Sequence, residues 1–159
     1  MNDLLTTILK DTYTLAQLKH RLKILKTQFL ETFFGGISLS ESNSAQDLNW
    51  LKVLPSEIYQ KFTKDNVYKI FEDLEKAVTK KQVLTIYLTF EPDDAAISQI
   101  STFARKNFGE SLLLDTKLDP NLIAGAALSW KGVYRDYSLR AKIDQRKGEI
   151  LESFKKFLR

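Results

Sequence analysis

The sequence predicts an α+β protein: an N-terminal helical bundle over residues 1–80, then a small α/β domain over 81–159 that ends in a β-hairpin and a terminal helix. Three observations predict it. Apolar residues recur every three or four positions up to Lys80. The period then changes to a continuous β-branched and aromatic run over 83–90. Further on, Lys131-Gly132 separates two apolar segments as a two-residue hairpin turn would.

Leu4, Leu5, Ile8 and Leu9 set the apolar face of a first helix over 3–10. Thr14 with Gln17 three residues on is a helix-start pattern, because a hydroxyl at the N-cap accepts from an orphan backbone N–H. The helix it opens, 15–34, carries Leu15, Leu18, Leu22, Leu25, Phe29 and Phe33 on one stripe. Gly35-Gly36 stops it and a loop is expected over 37–44. Ser44 to Asp47 reads as a further start, with Leu48 and Leu51 as a short apolar face. Pro55 opens a short helix through Ile58, Tyr59 and Phe62. Thr63 is expected to cap a helix over 64–79 that buries Val67, Ile70, Phe71, Leu74, Ala77 and Val78. Asp65–Lys69 and Glu72–Lys76 are its i,i+4 pairs.

In the second half, the strand at 83–90 is followed by Glu91-Pro92-Asp93-Asp94, an acidic helix start that suits the positive end of the helix dipole. Ile97, Ile100, Phe103 and Ala104 form the expected buried face, and Gly109 the stop. Strands are expected over 111–118, 122–130 and 133–138, with Asp119-Pro120 as a turn. A helix over 138–158 is expected to turn Leu139, Ile143, Ile150, Leu151, Phe154, Phe157 and Leu158 inward, with Gly148 inside it.

Composition narrows the function. The 159 residues are 43% hydrophobic and 28% charged, which is enough apolar surface for a packed core and argues against disorder. With no cysteine, thiolate metal sites, Fe–S clusters and cysteine nucleophiles are excluded. With His20 the sole histidine, a multi-histidine metal site within one chain is excluded too. No apolar run approaches the ~18 residues that span a bilayer, and the first residues lack a signal-peptide pattern. The expected location is therefore cytoplasmic, with attachment to a larger membrane assembly left open. Net charge is +4, and its distribution is uneven: residues 131–159 carry +5 and residues 1–130 carry −1.

No catalytic, cofactor-binding or metal-binding residue emerges. His20, flanked by Lys19 and Arg21 and off the apolar stripe, is expected at the surface, so a Ser–His–acid triad has no base. Gly35-Gly36 lacks the strand before it and the Lys-Ser/Thr after it that a phosphate loop needs. Asp93-Asp94 is accounted for by its place in a helix's first turn, and Asp115 with Asp119 has no catalytic spacing. In the tail, Arg140, Lys142, Arg146, Lys147, Lys155, Lys156 and Arg159 are interleaved with Asp144, Glu149 and Glu152, which weakens a phosphate-binding surface. Two non-enzymatic readings stay open: an adaptor that presents surfaces to protein partners, and a small basic RNA- or ribosome-associated α+β module. For the adaptor, Phe33, Tyr68 and Phe71 are candidates for the edge of a groove that takes an amphipathic helix. Arg146, Lys147, Lys155 and Lys156 are candidates for a second contact.

The segment from 119 to 143 favours the adaptor, with the RNA- or ribosome-associated module as the alternative. It resembles the C-terminal signature of the delta subunit of F-type ATP synthase, the family of the oligomycin-sensitivity-conferring protein. That signature runs Asp-Pro-x-Leu-Ile-Gly-Gly, an apolar strand, a glycine turn, then Asp-Gly-Ser-x-Arg and a terminal helix. Asp119, Pro120, Leu122, Ile123, Gly125, Gly132, Asp136, Ser138 and Arg140 match it in order and spacing. Ala124 stands in place of the first glycine of the pair, and Tyr137 in place of the glycine between Asp and Ser. The helical half is shorter than the family's usual six-helix domain. The resemblance implies a non-catalytic stator subunit without a cofactor, peripheral on the cytoplasmic side of the membrane. Its helical domain would bind the N-terminal helices of the head's alpha subunits. Its C-terminal domain would meet the peripheral-stalk b subunits.

Overall fold

Side-chain caps at Thr14, Ser44, Asp93 and Ser138 start four of the helices. The computed structural model describes residues 2–35 and 44–158. Met1, Gly36, residues 37–43 of the loop expected over 37–44, and Arg159 lie outside the described residues. The chain divides into two units, Met1–Gln82 and Val83–Arg159.

The first unit is helical. Helix α1 (Asn2–Lys10) buries Leu4, Leu5, Ile8 and Leu9. Helix α2 (Leu15–Phe34) starts where the Thr14 hydroxyl accepts from the Gln17 N–H at 3.1 Å, and ends at Gly35, whose φ is 73°. Leu18, Leu22, Leu25 and Phe29 are buried along α2, as is Ile24, off the expected stripe. Helix α3 (Ala45–Val53) opens with a capping box between Ser44 and Asp47. Helix α4 (Ser56–Gln60) follows Pro55, and Ile58 and Phe62 enter the core. The last helix of the unit, α5 (Val67–Thr79), buries Val67, Phe71, Leu74 and Val78.

The start of α5 corrects the expectation at Thr63. Asn66 competes for the backbone there: its Oδ1 accepts from Thr63 N–H at 2.8 Å and its Nδ2 donates to Lys61 O at 3.0 Å. Residues 63–66 become a turn, and the helix begins at Val67. Asp65 therefore lies before the helix, and of the two expected i,i+4 pairs Glu72–Lys76 forms and Asp65–Lys69 does not.

The second unit is a four-stranded mixed sheet with helices. In spatial order its strands are 113–118, 83–88, 126–130 and 133–136. Strands β1 (Val83–Leu88) and β2 (Leu113–Leu118) run parallel, joined through α6 (Asp94–Phe108). Strands β3 (Ala126–Trp130) and β4 (Val133–Asp136) form an antiparallel hairpin, with β3 antiparallel to β1. Lys131 (φ 48°) and Gly132 (φ 80°) make the two-residue turn. Leu84, Ile86 and Leu88 alternate inward and pack with Leu112, Leu114 and Ala104. Helices α7 (Leu139–Gln145) and α8 (Lys147–Phe157) end the chain.

Several expectations for this unit are corrected. Strand β1 ends at Leu88, short of 90, and β2 begins at Leu113 after a turn at Gly109. Residues 120–122 form a 3-10 turn and not the start of a strand, because the Asp119 carboxylate accepts from Asn121 N–H at 3.0 Å. Strand β4 stops at Asp136 because Asp136 and Ser138 turn to capping α7. On α6, Ala104 and Ile100 pack against the sheet core, small Ser101 is buried as well, and Phe103 is left exposed. The expected single helix over 138–158 breaks at Arg146, with φ −106° and ψ 11°. Its expected inward residues Leu139, Ile143, Ile150, Leu151, Phe154, Phe157 and Leu158 are all exposed, Phe157 to 92%. An apolar stripe is buried only where a layer exists to receive it, and α8 has none within its unit.

Candidate partner-binding surfaces

In the first unit, an aromatic cluster decides which groove candidates can face a partner. Phe29 stacks on Phe62 with ring centroids 4.0 Å apart, and Phe71 closes the cluster 5.4 Å from Phe62. Phe71 is 1% exposed. It is core, which corrects its place at a groove edge: position 71 falls at the centre of the α5 stripe and not its margin. Phe33 is half-buried, stacked on Phe29 at 5.8 Å. Tyr68 is exposed, one turn from Phe71, and its ring lies 5.9 Å from Phe34. Phe34, which the periodicity did not single out, completes an exposed aromatic edge with Phe33 and Tyr68.

A second feature lies between α2 and α5. Leu22 and Val78 floor a groove of about 390 Å³ rimmed by Lys19, Lys23, Lys26 and Glu75. Lys26 is paired with Glu75 at 3.1 Å.

His20 is not isolated. Its Nε2 lies 3.1 Å from Asp47 Oδ2, tying α2 to the cap of α3. Partial burial pushes the Asp47 carboxyl up, but hydrogen bonds from Ser44 and His20 outweigh it and leave the group below its usual range. Beside it, Arg21 donates to Asp11 O and Thr12 Oγ1, both at 2.7 Å, and its guanidinium stacks over Trp50 at 4.9 Å. Burial lowers the pKa of Arg21, opposed by Asp11 and Asp47. These links join residues up to 29 positions apart, beyond the reach of periodicity. They are structural struts that tie α2 to the segment before it and to α3.

In the second unit, the residues of the 119–140 signature build one latch. Pro120 opens the 3-10 turn that Asp119 caps, and Leu122 is buried beneath it. Ile123 has φ 68°, and Ala124 N–H donates back to Leu122 O at 2.8 Å, a positive-φ γ-turn. Ala124 O then accepts from Leu139 N–H at 2.8 Å, fastening α7. The Asp136 carboxylate accepts from Ser138 N–H at 2.8 Å, and Ser138 Oγ accepts from Ala141 N–H at 3.2 Å. Hydrogen bonds from Ser138 hold the Asp136 carboxyl below its usual range, with Arg140 adding to the effect. Arg140 itself lies 3.9 Å from Asp144. The two departures from the signature are also explained. Ala124 and Tyr137 stand at negative φ, where a side chain is allowed, while Gly125 stands at φ 85°.

Asp93 caps α6 through Ala96 N–H at 2.7 Å, Asp115 lies 3.8 Å from Lys117, and Asp119 caps its turn. Among the described residues no group of three or more His, Asp or Glu is placed to hold a metal ion. Among them, too, no helix is long and apolar enough to cross a membrane. Arg146, Lys147, Lys155 and Lys156 are all exposed on α8 and at its start, beside an open apolar strip of Ile150, Phe154 and Phe157.

The latch is the part of the fold that carries the signature, and comparison with known proteins extends the likeness to both units. The family model for the ATP synthase delta (OSCP) subunit matches residues 6–150. This chain belongs to that family. The match reaches back into α1, so it takes in the helical unit as well as the sheet unit. The ATP synthase subunit delta of Verminephrobacter eiseniae (strain EF01-2) is 32% identical over 65 residues, 41% of this chain. The aligned segment covers 36% of that relative, about a third of its length.

Proposed function

We propose that this chain is the non-catalytic delta-type stator subunit of an F1Fo ATP synthase, joining the F1 head to the peripheral stalk and keeping the head from turning with the rotor. The observation that carries this reading is the family match over 6–150, which spans both units. Two surfaces support two attachments. The aromatic edge of Phe33, Phe34 and Tyr68 suits an amphipathic helix, and the proposed occupant is the N-terminal helix of an alpha subunit. The basic start and end of α8, with Arg146, Lys147, Lys155 and Lys156, suit an acidic face on the stalk b subunits. The chain takes no substrate, cofactor or metal in this role. It lies on the cytoplasmic side of the membrane and reaches it through the complex.

Affinity purification from membranes in mild detergent tests the reading. Head and stalk chains of the ATP synthase should co-purify in fixed proportion. Recovery of ribosomal proteins or RNA in their place, with a salt-dependent RNA shift, would overturn it.

A further inference from the structure

On one side the sheet of the second unit ends at β2, and among the described residues no strand pairs with the outer edge of β2. One hydrogen bond fixes which backbone groups that edge presents. Asp119 N–H donates to Leu88 O at 2.7 Å, so the backbone at position 119 faces β1. Backbone groups alternate sides along a strand, so those of Asp115 and Lys117 face β1 as well. Leu114, Thr116 and Leu118 therefore turn their N–H and C=O groups to the open edge. Side chains alternate between the two faces of the sheet. Leu114 belongs to the core, and Leu118 follows it on the same face at 63% exposure. Asp115 and Lys117 share the other face as an ion pair at 3.8 Å.

We infer that the open edge of β2 pairs with the β2 edge of a second copy of this chain, antiparallel about a two-fold axis through Thr116. The occupant follows from the strand being its own complement in that register. Leu114 stands opposite Leu118 of the partner, Asp115 opposite Lys117, Thr116 opposite Thr116, and the remaining two pairs repeat these by symmetry. The outward backbone groups at 114, 116 and 118 meet as hydrogen-bonded pairs. Asp115 and Lys117 fall at the non-hydrogen-bonded positions, where opposed Cα atoms are about 4.5 Å apart and side chains come closest. Each carboxylate then faces an ammonium group across the axis, and Leu118 is covered against the partner's Leu114. A slip of one residue either way about the axis sets Asp115 against Asp115 or Lys117 against Lys117, and opposed like charges disfavour both. A lone lysine on an edge strand wards off other strands. Here Asp115 supplies the counter-charge, so the edge admits its own copy. The dimer is one of free chains and is separate from the two attachments proposed above.

Sedimentation equilibrium of the full chain from about 10 μM to about 500 μM tests this. A ladder this short buries less than a standard interface, so monomer should dominate at the low end and dimer at the high end. Asp115→Lys and Lys117→Asp each set like charges opposite one another. Either variant alone should associate at least about tenfold more weakly than wild type, with unchanged far-ultraviolet circular dichroism. Mixed in equal amounts, the two variants should regain the dimer, because every opposed pair is again of opposite sign. Amide exchange on wild type gives a second readout. Protection of the Thr116 and Leu118 N–H groups should rise with protein concentration, while that of Lys117, whose N–H faces β1, should not. A wild type still monomeric at about 500 μM, a dimer untouched by either single variant, or a mixture of folded variants that fails to associate would overturn the inference. Exchange at Thr116 and Leu118 that is the same at every concentration would overturn it as well.

Discussion

Gly125 lies directly under the Tyr137 carbonyl: a Cβ at position 125 would sit 2.9 Å from that oxygen and 3.3 Å from the Ser138 Cα. The backbone of the 119–125 turn thus touches the backbone that starts α7, with no side chain between. The contact fixes where the terminal helices leave the sheet.

Gly125→Ala should therefore cost more than a positive-φ substitution alone. Gly132 has a similar φ of 80°, yet nothing lies within 4 Å of a Cβ built there. Gly132→Ala pays only the backbone strain, about 1 kcal/mol, whereas Gly125→Ala adds a backbone clash and should cost about 2–3 kcal/mol. Urea unfolding of the two variants side by side checks the ranking. Equal losses would mean that the close approach is not limiting.

The Asp136–Ser138 cap gives the second unit a stability that depends on pH. The folded carboxyl of Asp136 is held below its unfolded value, so its contribution is present above the unfolded pKa of about 3.9 and is lost as pH falls through the folded value. Asp136→Asn removes that titration. Melting curves from pH 6 down to pH 2.5 should fall less steeply for the variant than for wild type. Ser138→Ala, which removes the bond to Ala141 N–H as well, should cost about 1 kcal/mol at pH 7.

Phe71 and Tyr68 stand one turn apart on α5 and should respond oppositely. Phe71→Ala empties the centre of the Phe29–Phe62–Phe71 cluster and should cost about 3–5 kcal/mol, enough to threaten the whole helical unit. Tyr68→Asp changes an exposed ring and should leave the melting temperature within about 2 °C of wild type. Under the stator reading it should also weaken an alpha-subunit N-terminal peptide about tenfold by calorimetry. A loss of stability in Tyr68→Asp equal to that in Phe71→Ala would contradict the burial difference.

These contrasts show what the sequence made legible. Helix starts at Thr14, Ser44, Asp93 and Ser138 and the Lys131-Gly132 turn depend on atoms a few residues apart, so local chemistry was enough. Thr63 misled because Asn66 offered the same backbone a competing partner three residues later. Periodicity put Phe71 on the buried face of α5 and Tyr68 off it, and placing Phe71 at a groove edge went against that spacing. It failed most for α8, where Phe154 and Phe157 follow the same spacing as buried residues elsewhere. Spacing reports amphipathicity, and burial depends on a second surface that lies elsewhere in the chain or in another one.

The α8 strip separates charge from apolar contact in the proposed stalk attachment. Phe157 is almost wholly exposed, so Phe157→Asp should change folding stability by less than about 0.5 kcal/mol. Reversal of Lys155 and Lys156 to Glu should also leave the fold intact, because both side chains are exposed and carry no ion pair among the described residues. Their effects on stalk capture should differ with salt. Exposed charges act mainly on the association rate and are screened over about 8 Å at physiological ionic strength, so the lysine reversal should weaken capture at 50 mM salt and fade by 500 mM. An apolar anchor acts on dissociation and keeps its effect at high salt, so Phe157→Asp should weaken capture at both. Surface-plasmon measurements of both rates at the two salt concentrations resolve the pair. A lysine reversal whose effect persists undiminished at 500 mM would mean that those ammonium groups are buried against the stalk and not merely facing it.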